Sequence, residues 1–206
     1  MSNQLDSIAP LREFVIGMTN LVSQESVETN LISKSSALLK TLIQSDNWLP
    51  EFCTIPHPEF YQQYLLHADP LGRFSVVSFV WGPGQKTPIH DHCVWGLIGM
   101  LRGMEKGQRY QQLPSGELVI DGPETLLRQG DIEAVGPTIG DIHIVSNAIP
   151  DKTSISIHVY GANIGAVKRH TYDLVTGKPK KFVSGYSSKQ VPNLWDRSAE
   201  VRASLT

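Results

Sequence analysis

The stretch GQKTPIHDHCVWGLIGMLRG, residues 84–103, decides how this chain is read. It follows directly from a Gly-Pro-Gly turn at 82–84 and sets His90 and His92 two residues apart. On a strand that spacing puts both imidazoles on one face and turns Asp91 the other way. Two neutral imidazoles on one face can clasp a metal ion. Two solvated turn histidines are the alternative, and the pair alone leaves both readings open. Downstream, His143 lies in a run of the same β-rich texture, where a neighbouring strand can supply a third imidazole.

Outward from this stretch the texture is short and β-rich. Runs at 74–81, 94–101, 108–113, 117–120, 125–128, 131–135, 142–146 and 153–160 are separated by Gly-Pro-Gly, Pro-Ser-Gly, Asp-Gly-Pro and Gly-Pro turns. About eight strands at such spacing, with no helical pattern between them, predict a sandwich or small barrel rather than a parallel α/β sheet. Residues 1–66 read as helical. Leu11, Phe14, Val15, Met18, Leu21 and Val22 form one face of a helix, with Pro10 in its first turn. Leu31, Leu38, Leu39, Leu42 and Ile43 mark a second helix that stops before Pro50, and a third, shorter one is expected over Glu59–Leu66. Residues 166–206 are polar and read as a strand or two and an arm.

Composition narrows the function classes. The chain has 206 residues, 40% of them hydrophobic and 18% charged, with a net charge of −2. That is one globular domain, at roughly 100–200 residues per domain. No basic excess exists to neutralise a phosphate backbone, so nucleic-acid binding is not expected. The longest apolar run, Val76–Trp81, is interrupted by Ser78 and falls far short of a membrane span of about 20 residues. The opening MSNQLDSIAP has no basic and apolar leader pattern. Two cysteines, Cys53 and Cys93, make no disulfide framework, and the expected location is the reducing cytoplasm.

The run 153–160 alternates strictly, with Ser154, Ser156, His158 and Tyr160 on one face and Ile155, Ile157 and Val159 on the other. Composition alone favours the isoleucine face as core and the polar face as solvent-exposed. If the strand lines a metal cavity instead, the serine orients the imidazole and the imidazole orients the phenol.

The spacing of Gly84, His90, His92, Gly96 and Gly103 resembles the first cupin motif, with glycine where an acidic ligand normally stands. Gly130, Pro137, Gly140, His143 and Asn147 resemble the second, with one-residue slips. The expected fold is therefore mainly β: a small, jelly-roll-like cupin β-barrel with an N-terminal helical segment. Residues 1–66 would pack on a barrel formed by 67–206, which includes a C-terminal arm, all within a single domain. Three histidines could hold zinc for hydrolysis or non-haem Fe(II) for oxygen chemistry, and the ligands alone do not choose.

Taken together, His90, His92, His143 and the Ser156-x-His158-x-Tyr160 run resemble the thiol dioxygenases, the cysteine dioxygenase family of cupins. The resemblance implies one Fe(II) per chain on His90, His92 and His143, with Ser156, His158 and Tyr160 as an outer triad. It also implies a small-molecule thiol and O2 as partners, the product being a sulfinate. Mammalian members carry a cysteine that cross-links to the triad tyrosine; Gly96 stands there, so no cross-link is expected, and Cys93 reads as a packed or idle thiol. They also follow that tyrosine with a Ser-Pro pair joined by a cis peptide, which Gly161 and Ala162 replace.

In Tyr61-Gln-Gln63-Tyr-Leu65, glutamine takes the place of the family's carboxylate-binding arginine. This resembles the bacterial glutamine-type branch, associated with 3-mercaptopropionate. A glutamine offers only a neutral amide, so a cationic anchor must come from elsewhere, and Arg169 is the candidate by resemblance to that branch. L-cysteine is the second substrate reading, and a non-catalytic metal-binding cupin the third. Trp81 and Trp95 can wall a cavity or pack the core. His57, His67 and His170 are read as surface or loop residues.

Overall fold

The structure, a computed structural model, describes residues 8–187 and 198–205. Helix α1 (Ala9–Gln24) starts on Pro10, whose fixed φ suits a first turn, and buries Leu11, Phe14 and Met18 along one stripe. Helix α2 (Glu28–Leu42) buries Leu39 and Leu42. The Trp48 indole donates to the carbonyls of Leu42 at 3.0 Å and Ser45 at 2.8 Å, closing the chain end of α2 ahead of Pro50. None of the described helices is long and apolar enough to cross a membrane.

The strands are, in chain order, β1 (Gln62–Ala68), β2 (Ser75–Trp81), β3 (Ile89–His90), β4 (Gly96–Arg102), β5 (Met104–Gln112), β6 (Leu118–Ile120), β7 (Thr125–Arg128), β8 (Ile132–Val135), β9 (Ile142–Asn147), β10 (Ser154–Tyr160), β11 (Arg169–Tyr172) and β12 (Pro179–Phe182). One sheet has the order β1-β2-β10-β4-β8, and the other β12-β11-β3-β9-β5-β6 with β7 on β5. All the named pairings are antiparallel. From β2 to β5 and again from β8 to β11 the chain steps from one sheet to the other at each strand, the jelly-roll arrangement expected of a cupin barrel. The polar tail contributes β11 and β12. A short helix, α3 (Ser198–Ala203), follows, and Arg202 ties it back by donating to the Val183 carbonyl at 3.1 Å. The part of the expected arm at 188–197 lies outside the described residues.

Two expectations need correction. No third helix covers 59–66: β1 occupies Gln62–Ala68 and pairs with β2 from Gln62↔Val80 to Ala68↔Ser75, with a bulge between Leu65 and His67. A segment this short gains little as an isolated helix, whereas the open edge of β2 offers it a full ladder. The N-terminal helical segment thus ends with the single turn at Glu51–Cys53. The polar face of β10 is not solvent-exposed either: all seven of its residues are buried. Its Ile155, Ile157 and Val159 pack with Leu11, Phe14, Met18, Leu39 and Ile43 under the two helices. Its serines, His158 and Tyr160 therefore face the barrel interior, beside Val77, Phe79 and Trp81 of β2.

Helix α2 sits close to the sheet because Gly99 of β4 leaves room; a Cβ there would lie 3.0 Å from Leu39. Leu39 is fully buried at this contact. The variant Leu39→Ala is expected to lose about 2–5 kcal/mol, read as a lower denaturant midpoint at unchanged slope.

Candidate metal centre and active site

His90 ends β3, His143 sits on β9, and the two are register partners across that antiparallel pair. Opposed residues on such a pair project from the same face about 5 Å apart, so the backbone alone brings these imidazoles together. His92 comes from the loop beyond β3 rather than from the strand itself. Asp141 holds that loop: its Oδ1 accepts the His92 backbone N–H at 3.0 Å, and its Oδ2 accepts that of Cys93 at 2.9 Å. Cys93 there adopts φ 59°, in the left-handed region.

The three rings form an equilateral set, each pair of centroids 4.9 Å apart. One nitrogen from each lies within 4.8 Å of the others, and all three side chains are buried. His90 Nδ1 is 3.0 Å from the Pro88 carbonyl and His92 Nδ1 is 3.0 Å from Asp141 Oδ1. Both partners only accept, so the hydrogen sits on Nδ1 and the Nε2 lone pair is left for an ion. His143 Nδ1 is buried with no hydrogen-bond partner. Burial holds all three pKa values down, with Arg169 adding to it at His90 (to about 4), His90 and Arg169 at His92, and His92 and His90 at His143, so each imidazole is a neutral donor. This donor set fits a divalent transition ion. Asp91 points away, as its position between the histidines predicts: its Oδ2 accepts from Tyr172 Oη at 2.8 Å and lies 2.9 Å from His170 Nδ1. His170, expected at the surface or in a loop, is therefore a half-buried strand residue paired with Asp91.

On β10, Ser156 Oγ lies 2.9 Å from His158 Nε2, and His158 Nδ1 lies 2.7 Å from Tyr160 Oη. Phe79 stacks on His158 at 4.0 Å, and the Tyr160 ring stacks on His92 at 5.5 Å, which sets the phenol beside the three-histidine centre. Burial pushes the Tyr160 phenol up and the His158 imidazole down to about 3. Gly96 matters here, because a Cβ at that position would fall 2.8 Å from the Tyr160 ring.

A small cavity of about 30 Å³ joins these groups. Tyr61, Gln63, Trp81, Arg169 and Phe182 also line it, and among the described residues no carboxylate does. Tyr61, just ahead of β1, and Gln63, on it, line the cavity together; two residues apart on a helix they would diverge. Arg169 is 5% exposed, yet no acidic side chain pairs with it among the described residues. Its guanidinium lies 4.7 Å over the Phe182 ring and donates to the Asp91 carbonyl at 3.3 Å and to Ser184 Oγ at 3.1 Å, while its Nε has no partner. Trp95, by contrast, packs under the helices and not against the cavity. Cys93 is exposed, with its thiol pushed up to about 11 by desolvation and the flanking Asp91 and Asp141, so it stays protonated at neutral pH.

Sequence reasoning missed Asp141, Tyr61 and the aromatic walls Phe79 and Phe182. Asp141 had a signal: it precedes His143 by two residues, next to Gly140 of the second motif. Tyr61 stood in the same short stretch as Gln63. The two phenylalanines had none, since nothing in their neighbours separates a cavity wall from ordinary core.

The family model described as "Cysteine dioxygenase type I" matches residues 2–173. Cysteine dioxygenase type 1 of Bos taurus is 28% identical over 124 residues, 57% of this chain and 58% of that protein. The Homo sapiens protein of the same name is 28% identical over 138 residues, 63% of this chain and 66% of that one. The chain thus spans about three fifths of the length of the curated relatives it matches. Among solved structures, a conserved protein with a double-stranded beta-helix domain from Klebsiella pneumoniae aligns with TM-score 0.44 at 17% identity, over 65% of this chain and 87% of that one. The family match takes in the three histidines, the Ser156–Tyr160 run and Arg169 alike, and this chain belongs to the cysteine dioxygenase type I family.

Proposed function

We propose that the protein is a mononuclear non-haem Fe(II) thiol dioxygenase acting on a small carboxylate-bearing thiol, best fitted by 3-mercaptopropionate. One observation carries this reading: a buried guanidinium with no carboxylate partner among the described residues shares a small cavity with three neutral imidazoles. A buried cation left without an anion is costly, and a substrate carboxylate would offset that cost. His90, His92 and His143 would hold the metal. Iron bound there would acidify a coordinating thiol and activate O2, both atoms of which end on sulfur as a sulfinate.

The chain's own contribution is placement and dryness. Arg169 pairs with the carboxylate, the Gln63 amide adds a neutral donor, and Tyr160 hydrogen-bonds the substrate. Tyr61, Phe79, Trp81 and Phe182 exclude water, which strengthens each polar contact inside. Ser156 and His158 hold the Tyr160 phenol in position. A plain metal-binding protein has no need of such a buried polar chain. Both cysteines are free, in keeping with a thiol-reducing cytoplasm as the proposed location.

The second reading, L-cysteine, draws support from the names of the curated relatives. Against it stands the absence, among the described residues, of any cavity carboxylate to receive an ammonium group. After anaerobic Fe(II) loading, O2 uptake and sulfinate should appear with 3-mercaptopropionate, with kcat/KM at least about tenfold above L-cysteine and cysteamine (about 1.4 kcal/mol). A preference for L-cysteine would transfer the assignment to that substrate, and stoichiometric iron with no O2 uptake from any thiol would reject the enzyme. Arg169→Ala is expected to raise KM about 10- to 100-fold with kcat largely kept, the loss of charge-assisted hydrogen bonds to the carboxylate. Tyr160→Phe and His158→Asn should leave iron content unchanged and lower kcat about 10²-fold, measured by single-turnover and steady-state kinetics.

A further inference from the structure

A second group of metal-ligating side chains lies beside the three-histidine centre. Asp91 and Cys93 flank His92 in the loop beyond β3, and His170 sits on β11. One ligand atom from each, a carboxylate oxygen, a sulfur and an imidazole nitrogen, lies within 4.8 Å of the other two. The pairing of β3 with β11 brings them together, and Asp91 Oδ1 secures it by accepting the His170 backbone N–H at 2.7 Å. The cluster is graded in depth. Asp91 is buried, His170 half-buried and Cys93 exposed, so an ion can enter from solvent. No step of the proposed chemistry uses these three side chains.

Asp91 and His170 have a structural use of their own. The carboxylate accepts from the His170 backbone and from Tyr172 Oη, and lies 2.9 Å from His170 Nδ1, which ties the loop to β11. Cys93 is different. Its backbone is held by Asp141 and takes a φ of 59°, where glycine or asparagine is under less strain. A thiol there adds only a weak donor to a carboxylate already well supplied. As a ligand it has a clear use. Sulfur, imidazole nitrogen and carboxylate oxygen together suit a borderline-soft ion such as Zn(II), whereas Ca(II) and Mg(II) seek oxygen alone. Ligand atoms on one tetrahedral zinc sit roughly 3.5 Å apart, so a modest inward turn of the exposed Cys93 side chain completes the set. We propose that Asp91, Cys93 and His170 form a second metal site, separate from the three-histidine centre, that binds a divalent ion of the Zn(II) class with water in the fourth position.

On binding, a sulfur–metal bond replaces the S–H bond, and the proton passes to solvent. No electron is transferred. His170 gives a lone pair from the ring nitrogen that faces the ion and keeps its hydrogen on the other. The thiolate, with the carboxylates of Asp91 and Asp141 beside it, balances the ion and the nearby Arg169 guanidinium. Arg169 does not compete for the ligands, since it donates to the Asp91 backbone carbonyl rather than to the carboxylate. Occupancy joins the loop carrying His92 to the strand carrying Arg169, two residues that line the cavity. The ion is thus a clip across two segments of the active site, favouring the folded chain over the unfolded one. The site stands independently of the thiol dioxygenase reading.

Co(II), a tetrahedral stand-in for Zn(II), reports the site directly, because a thiolate-to-cobalt charge-transfer band requires a bound sulfur and the three-histidine centre has none. The full chain, with no thiol added, should take up two equivalents of Co(II), one of them accompanied by that band. Cys93→Ser should lose the band and bind one equivalent. His170→Gln should weaken the sulfur-bearing equivalent at least about tenfold. His143→Ala should keep the band. In thermal melts, Zn(II) beyond the first equivalent should raise the midpoint of wild type by at least about 2 °C and leave that of Cys93→Ser in place. Saturation at a single equivalent without the band overturns the proposal, even if a variant fails to fold. So does a band that survives Cys93→Ser, or one lost in a folded His143→Ala, which would put the sulfur on the three-histidine ion. Since no measurement requires turnover, failure of the thiol dioxygenase reading and failure of this one are told apart.

Discussion

The backbone pairing of β3 with β9 sets His90 directly opposite His143, and the geometry of the site follows from it. β3 has only two residues, yet both of its edges are used. β9 supplies His143 on one side, and β11 sets Thr171 opposite His90 on the other. Arg169, two residues before Thr171, shares its face and so reaches the same cavity. Asp141, just ahead of β9, captures the loop that carries His92. Three imidazoles and one guanidinium are thus referenced to a single short ladder rather than to four independent loops, which is what holding a site to sub-ångström tolerance demands.

Much of this was legible from the residues, and the exceptions have physical causes. The β-rich runs at 74–81, 125–128 and 153–160 matched strands to within a residue or so, because each is bounded by turn residues. The three histidines were readable because imidazole pairs at strand spacing, followed by a third on another strand, have few purely structural uses. The face of β10 could not be read locally. Its isoleucines looked like the only core face, and it takes knowledge of α1 and α2 lying on that sheet to see that both faces are buried. The helix expected over 59–66 failed for a related reason. Eight residues of mixed polarity carry no decisive period, and the open edge of β2, a tertiary feature, settled their conformation.

The electrostatics of the cavity are unusual for a protein interior. Its permanent charge, among the described lining residues, is the guanidinium of Arg169. The imidazoles, phenols and amide around it are neutral, and the aromatic walls give little dielectric relief. Cation–π contact with Phe182 and two hydrogen bonds settle the guanidinium only in part, as the unpartnered Nε records. The cavity is thus asymmetric toward charge, receptive to an anion and without counter-charge for a second cation. The amide of Gln63, being neutral, leaves that imbalance at one charge.

Strand β10 has a consequence of a different kind. It is a partition one backbone thick, with oil on the helix side and a wired polar chain on the other. Side chains on a strand alternate, so adding or removing one residue within 154–160 would exchange the two sides wholesale, thrusting imidazole and phenol under the helices and isoleucines into the cavity. Point substitutions here can be graded, but changes of length cannot. Over evolutionary time this segment should drift in letters and never in count.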